Sequence, residues 1–298
     1  MLILPSRRQF LTGLGAGAGL VAATGVYAFD VEPLHRLVVT RYAPALPRWN
    51  PELRLRVAVL ADFHVCEPFM PFDRVAEIVD ATNALKPDLV LMLGDYPAGR
   101  IAWRRLPLAE FARLAEGLKA PLGVHAILGN HDWWDDEQVQ RARAGTPAVK
   151  RLLEDRGIPV LENGAVRLAK DGHPFWLAGL ADQQPFYGLE TGLEDLPGTL
   201  ALITDDAPVL LMAHEPYIFP EVPERVALTL AGHTHGGQVR LFGRSPAIRR
   251  VRGIDVSYGH VVADGRHMIV SGGFGVSRMP VRLGVPPEIV LLDLGARA

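Results

Sequence analysis

The chain has 298 residues, a formal net charge of −2 and 49% apolar content, enough for one large α/β domain or two small ones with a sizeable core. The near-neutral balance argues against a dedicated nucleic-acid binder, which carries a strongly basic domain, and no nucleic-acid partner is indicated. A single cysteine, Cys66, excludes an internal disulfide, so a metal site would draw on His, Asp, Glu or Asn.

In chain order, Ser6-Arg7-Arg8-Gln9-Phe10-Leu11 heads an uncharged stretch, rich in Gly and Ala, that runs to Phe29. An Arg pair before a moderately hydrophobic run is the twin-arginine export pattern. It predicts passage through the twin-arginine translocase to the periplasm or the outer face of the cytoplasmic membrane. The run of about 20 residues is long enough to span a bilayer if uncleaved, which would anchor the protein through residues 9–29. Val26-Tyr27-Ala28 matches an A-x-A cleavage site poorly. Residues 1–29 are therefore read as signal peptide or anchor, 30–54 as a connecting arm broken by Pro44, Pro47 and Pro51, and 55–298 as the main domain.

From Leu55 the pattern is regular. Apolar strand-like runs cover Leu55 to Ala61, Asp88 to Leu93 and Gly123 to Leu128. Helical spacing separates them over Phe72 to Leu85 and Leu106 to Leu118, and Val139 to Arg156 is helical with a break near Gly145-Thr146-Pro147. The second half is richer in strands, at about 158–161, 165–169, 174–180, 208–213, 226–231, 237–242, 254–263, 267–271 and 288–294. Strand–helix alternation followed by many strands predicts two packed sheets with helices outside.

Ligand-type residues recur at the carboxyl ends of these strands: Asp62 and His64, Asp95, Asn130 and His131, His214, then His233 and His235. Each has a local explanation. Asp62 could cap a helix, Gly94-Asp95 could be an ordinary turn, Asn130 could sit in a left-handed turn, and His214 could cap a helix before Glu215-Pro216. Together they place half of the ten histidines on strand ends beside a carboxylate, amide or glycine. The crevice beyond strand carboxyl ends is where open α/β sheets bind ligands, and neutral imidazole is the commonest metal ligand.

The ordered set Asp62-x-His64, Gly94-Asp95, Gly129-Asn130-His131-Asp132, His214 and Gly232-His233-Thr234-His235 resembles the calcineurin-like metallophosphoesterase family. The tail Gly272-Gly273-Phe274-Gly275, with Pro280-Val281-Arg282-Leu283-Gly284 and Pro286-Pro287-Glu288-Ile289, is similar to a twin-arginine-exported bacterial phosphodiesterase branch. The resemblance implies an α/β fold, a four-layer αββα sandwich of two mixed β-sheets flanked by helices, with a dinuclear metal site at strand carboxyl ends. It assigns Asp62, His64 and His235 to one metal and Asn130, His214 and His233 to the other, with Asp95 bridging. Hard oxygen plus imidazole donors suit Mn²⁺, with Fe or Zn²⁺ as alternatives. Cys66, two residues after His64, reads as a bystander thiol. Ala98 stands where a purple acid phosphatase carries its metal-bound Tyr, and Tyr96 directly follows Asp95, so a Tyr-ligated iron is not expected.

The implied reaction is hydrolysis of a phosphoester, as phosphodiesterase or phosphatase, by in-line attack of a metal-bridging hydroxide. His131 would protonate the leaving oxygen, and Asp132 would orient its ring. In the basic segment after Gly236, Arg240, Arg249 and Arg250, with Arg282 in the tail, are candidates to clamp substrate phosphate or to face a membrane surface or lipid headgroup. Two alternatives stand beside this reading: a pyrophosphatase of the UDP-2,3-diacylglucosamine type, and a catalytically inactive metal-binding scaffold.

Overall fold

The period-two alternation of side chains in the first long strands decides how the layers stack. The computed structural model describes residues 7–98, 104–189, 191–247 and 249–295. Its strands are β1 (Val38–Tyr42), β2 (Leu55–Leu60), β3 (Cys66–Glu67), β4 (Leu89–Met92), β5 (Arg104–Arg105), β6 (Val124–Ala126), β7 (Gly164–Lys170), β8 (His173–Gly179), β9 (Val209–Met212), β10 (Leu228–Ala231), β11 (Arg250–Val251), β12 (Ile254–Asp255), β13 (Gly259–Ala263), β14 (Arg266–Val270) and β15 (Glu288–Leu294). The helices are α1 (Arg7–Val26), α2 (Phe72–Ala84), α3 (Leu108–Ala115), α4 (Asn130–Trp134), α5 (Glu137–Ala142), α6 (Ala148–Glu154) and α7 (Leu196–Ala201).

Five strands form one sheet in the order β1-β15-β2-β4-β6 and six form the other in the order β13-β14-β10-β9-β8-β7. Both are mixed: β2, β4 and β6 run parallel, as do β8, β9, β10 and β14, while β15 opposes β2 and the hairpins β7/β8 and β13/β14 are antiparallel. Ala58 and Leu60 of β2, with Val90 and Met92 of β4, pack on Val75, Ile78, Phe111 and Leu153 from α2, α3 and α6. Their alternates Val57, Val59, Leu89 and Leu91 face the second sheet and meet Phe175, Leu177, Leu210, Met212 and Leu230. The outer face of that sheet, with Trp176, Val209 and Leu211, is covered by Leu196 and Leu200 of α7. This is the four-layer αββα sandwich, and double-sided burial is why its central strands read as unbroken apolar runs.

Leu34 to Tyr42, strand-like in sequence, forms an edge strand of the first sheet over Val38–Tyr42, parallel to β15. Several other local expectations change. Val160 makes only an isolated bridge, to Ala126. The strand expected over 237–242 is instead turn, because Gly236, Gly237, Gln238 and Phe242 all take left-handed φ. The strand expected over 254–263 splits into β12 and β13. At the amino end, α1 continues as a π-helical segment, Tyr27–His35. No helix among the described residues is long and apolar enough to cross a membrane; Gly13, Gly15, Gly17, Gly19 and Gly25 dilute the hydropathy of the 9–29 run.

Leu91 is fully buried between the sheets. Leu91→Ala is expected to lower unfolding free energy by about 3 kcal/mol, the cost of transfer plus cavity, read from the urea midpoint at constant m-value.

Candidate metal centre

The parallel strands β2, β4 and β6 of one sheet and β9 and β10 of the other each end in a ligand-type residue, which brings five strand ends to one edge of the sandwich. The chain leaves these strands through left-handed turns. Asp62 (φ 55), His64 (φ 49), Asp95 (φ 58), His233 (φ 69) and His235 (φ 50) all hold positive φ, each at a cost of about 1 kcal/mol for a residue with a Cβ. The turns also need close backbone approach: a Cβ on Gly129 would lie 2.5 Å from Asp95 Oδ1 and 2.6 Å from the His214 ring. Glycine is the residue that fits there.

Two groups of candidate ligands result, Asp62, His64 and His235, and Asp95, His214 and His233, with the ligand atoms of each group within 4.8 Å of one another. Asn130 joins the second, its Oδ1 2.8 Å from His233 Nδ1. Asp95 faces both, with Oδ2 3.5 Å from His64 Nε2 and 3.3 Å from His214 Nε2. His64 Nδ1 donates to the Pro97 carbonyl at 2.9 Å and His214 Nδ1 to the Leu93 carbonyl at 2.6 Å. These bonds fix the tautomers that turn both Nε2 lone pairs into the cluster.

The electrostatics fit divalent cations. Burial pushes His64 down to about 4 and His233 to about 3, and holds His235 well below the usual imidazole range, so these rings are neutral donors. Burial also pushes Asp62 up to about 7. Burial opposes ionisation of Asp95 too, but the positive charge of His214 and His131 outweighs it and holds this carboxyl well below its usual range. Asp95 correspondingly raises His214 against its burial. His214 Nε2 is buried with no hydrogen-bond partner, and a cation there would take the place of the proton Asp95 otherwise attracts. The donors present therefore fit two divalent ions.

His131 lines the same crevice, edge-on to His64 with ring centroids 4.9 Å apart. Asp132 does not touch its ring. It accepts from Gly129 N (2.7 Å), Asp95 N (2.8 Å) and Tyr96 N (3.0 Å), tying the β4 and β6 turns together. The carboxylate near the ring is Asp135, whose Oδ2 is 3.6 Å from His131 Nδ1. Spacing could have found it, since residues four apart share a helix face. Burial opposes protonation of His131, but Asp95 and Asp135 outweigh it and raise its pKa above the usual value.

A cavity of about 790 Å³ opens over the cluster, walled by Trp134, Tyr187, Tyr217 and Met279, with Arg249 and Arg278 also lining it. Of the expected substrate arginines, only Arg249 lines this cavity. Arg282 is fully buried, donating to the carbonyls of Gly272, Gly275 and Val285, with Nη2 3.3 Å from His235 Nδ1. It is a strut behind a metal-ligand candidate and cannot clamp substrate. Arg240 is spent on the Gly236 and Gly243 carbonyls and the Tyr258 ring, and Arg250 lies exposed in β11, outside the cavity lining. Cys66 packs with Phe69, Ala98 and Val276, away from both ligand groups. Tyr96 donates to the Ile127 carbonyl at 2.8 Å within the core. Thr234, which suggested no chemistry, donates to the Ser257 carbonyl at 2.6 Å and so pins the turn between the two histidines.

Two packed sheets that hold paired clusters of buried imidazoles and carboxylates at their carboxyl edge define a metal-dependent hydrolase of phosphoric esters. The chain belongs to the calcineurin-like phosphoesterase family, whose profile matches residues 55–237. It is 30% identical to the Bacillus subtilis protein described as uncharacterized metallophosphoesterase YkuE, over 97% of each chain. It is 28% identical to phosphodiesterase YaeI of Escherichia coli, covering 97% of this chain and 99% of that one. Among solved structures, the calcineurin-like phosphoesterase YfkN from Bacillus subtilis aligns with a TM-score of 0.46 at 13% identity, covering 75% of this chain and 83% of that one.

Two outcomes test this centre. Gly129→Ala is expected to displace Asp95 and His214 and to lower bound metal per chain by at least half, measured by elemental analysis. Asp135→Asn removes a charge that favours protonated His131, so the alkaline limb of the kcat–pH profile is expected to move to lower pH.

Proposed function

We propose that this protein is a phosphodiesterase that uses two divalent ions, Mn²⁺ before Fe or Zn²⁺, and acts outside the cytoplasm. The observation that carries the reading is the pairing of the two ligand groups with a non-ligand His131 at the floor of one open cavity. Bound divalent ions would supply electrophilic charge to the phosphoryl oxygens and activate water for in-line attack. The chain's own residues do the rest. His131, with Nδ1 toward Asp135, offers Nε2–H to the leaving oxygen, and its raised pKa favours the protonated ring. Asp132 holds the turns that aim Asp95 and His131. The aromatic walls favour a diester, whose second substituent needs somewhere apolar to lie.

Arg249 and Arg278 support a second reading, cleavage of a pyrophosphate in a lipid-linked nucleotide of the UDP-2,3-diacylglucosamine type, because they offer charge to a second phosphate. Location outside the cytoplasm rests on the Arg7-Arg8 leader and favours the diesterase, since that nucleotide is handled on the cytoplasmic side. The leader would also engage the twin-arginine translocase, which carries folded proteins.

Stripping metal with EDTA is expected to abolish hydrolysis of bis-p-nitrophenyl phosphate, and added Mn²⁺ to restore it. His131→Ala should retain metal yet lose about a hundredfold or more in kcat; a metal-replete variant turning over at wild-type rate would remove the acid role. Faster cleavage of p-nitrophenyl phosphate or of a UDP-lipid than of the diester would redirect the substrate assignment.

A further inference from the structure

Three stretches of chain lie side by side at the rim of the cavity. Leu283 N donates to Gln238 O at 2.9 Å and Arg240 N to Leu283 O at 2.7 Å, which joins 238–240 to 281–283. Arg282 N donates to Ala28 O at 2.9 Å, which joins the same segment to the end of the leader. Each stretch exposes large apolar side chains: Leu241 and Phe242, Met279, and Val26 and Phe29. Phe242 is 102% exposed, at the tip of a turn closed by reciprocal bonds between Leu241 and Arg244. It holds φ 51, followed by Gly243 at φ 75. Asn, Asp or Gly suits the first position of such a turn, so neither backbone preference nor packing accounts for an aromatic ring there.

Two of the three stretches are rich in arginine, although Asp30 lies beside Phe29 and Glu221 pairs with Arg252 at 3.6 Å. Residues 236–254 contain Arg240, Arg244, Arg249, Arg250 and Arg252 and no carboxylate, and 271–287 contain Arg278 and Arg282 and no carboxylate. Gln238, Val239, Arg278, Met279 and Val281 also line the cavity, so the rim and the mouth of the site are continuous. The leader helix departs from the same tract, with residues 15–24 all exposed.

We propose that this rim docks on a bilayer containing anionic lipid, with Phe242 entering below the headgroups and Arg244 and Arg250 facing lipid phosphate. An apolar wedge flanked by cations is the chemistry of an interfacial anchor, and the exposed helix that leaves the same tract favours a bilayer over an acidic soluble partner. The site then receives its phosphoester from the membrane interface; that last step rests on the hydrolase reading above, and the docking itself does not.

The test is co-sedimentation of the full chain with vesicles of phosphatidylcholine alone or mixed with phosphatidylglycerol. Wild type is expected to sediment with the anionic vesicles, less so as salt rises, and not with phosphatidylcholine. Phe242→Asn keeps a residue that tolerates left-handed φ and should weaken binding about tenfold, while hydrolysis of soluble bis-p-nitrophenyl phosphate stays at the wild-type rate. Phe242→Trp should bind at least as well as wild type. Equal binding by Phe242→Asn, equal binding to neutral vesicles, no binding by wild type, or loss of soluble turnover in Phe242→Asn would each overturn the docking surface. Absence of hydrolysis in wild type would overturn the enzyme reading instead and leave the sedimentation result standing.

Discussion

One carboxylate joins the parts of this molecule that matter for its chemistry. Asp95 follows β4 in the first sheet, accepts the His131 amide through Oδ1, and turns Oδ2 toward His64 from β2 and His214 from β9 in the second sheet. Its own amide is held by Asp132 from the β6 turn. Four strand ends in two sheets are thus linked through a single buried anion. Such an anion is tolerable only beside positive charge, which without metal comes from protonated His214 and His131. Asp62 and Asp132 have weaker support, and burial drives both up to about 7. Divalent ions held by the two ligand groups would supply the positive charge that these buried carboxylates lack.

Arg282 supplies a permanent positive charge packed directly behind the cluster. Its guanidinium bonds three carbonyls of the 272–285 segment and lies against His235. Burial lowers its pKa to about 10, with Asp62, Glu288 and Glu32 working in the opposite direction. It still carries its charge at neutral pH, and its fork geometry matches several carbonyls at once, which a lysine would not reproduce. The tail that carries it is therefore part of the centre, although the family profile ends at residue 237.

What the sequence made legible follows from burial. Strands covered on both faces must be apolar throughout, so the polar residue that ends each run stands out, and Asp62, Asp95, Asn130, His214 and His233 could all be placed at one edge of the sandwich. Other features obey rules that one-dimensional patterns express poorly. The alternation of Gly237 to Phe242 looks like a strand, but left-handed φ at several positions turns it into loop. Arg282 looked like a surface cation because charge in a Gly/Pro-rich tail usually is one, and only the fold shows three inward carbonyls awaiting donors. Asp132 and Asp135 both follow His131 closely, and the helix start decides their roles: Asp132 turns back to the amides at the amino end of α4, and Asp135 lies one turn on, beside the ring.

The turns that present the ligands are also where the fold is least favourable. Five non-glycine residues in left-handed conformation cost together about 5 kcal/mol, comparable to the net stability of a small domain, and the buried carboxylates add repulsion. The double-sided core of the two sheets offsets this, because each strained residue lies two to four residues beyond the end of a strand whose register the core fixes. Cations that neutralised the cluster would bind across the join between the sheets, with Asp62, His64 and Asp95 from one and His214, His233 and His235 from the other. Metal binding and packing of the two sheets are then linked equilibria, since a ligand that engages only the folded state stabilises it. The same linkage explains why both sheets must share one rigid core: a hinge between them would separate the two halves of each ligand group.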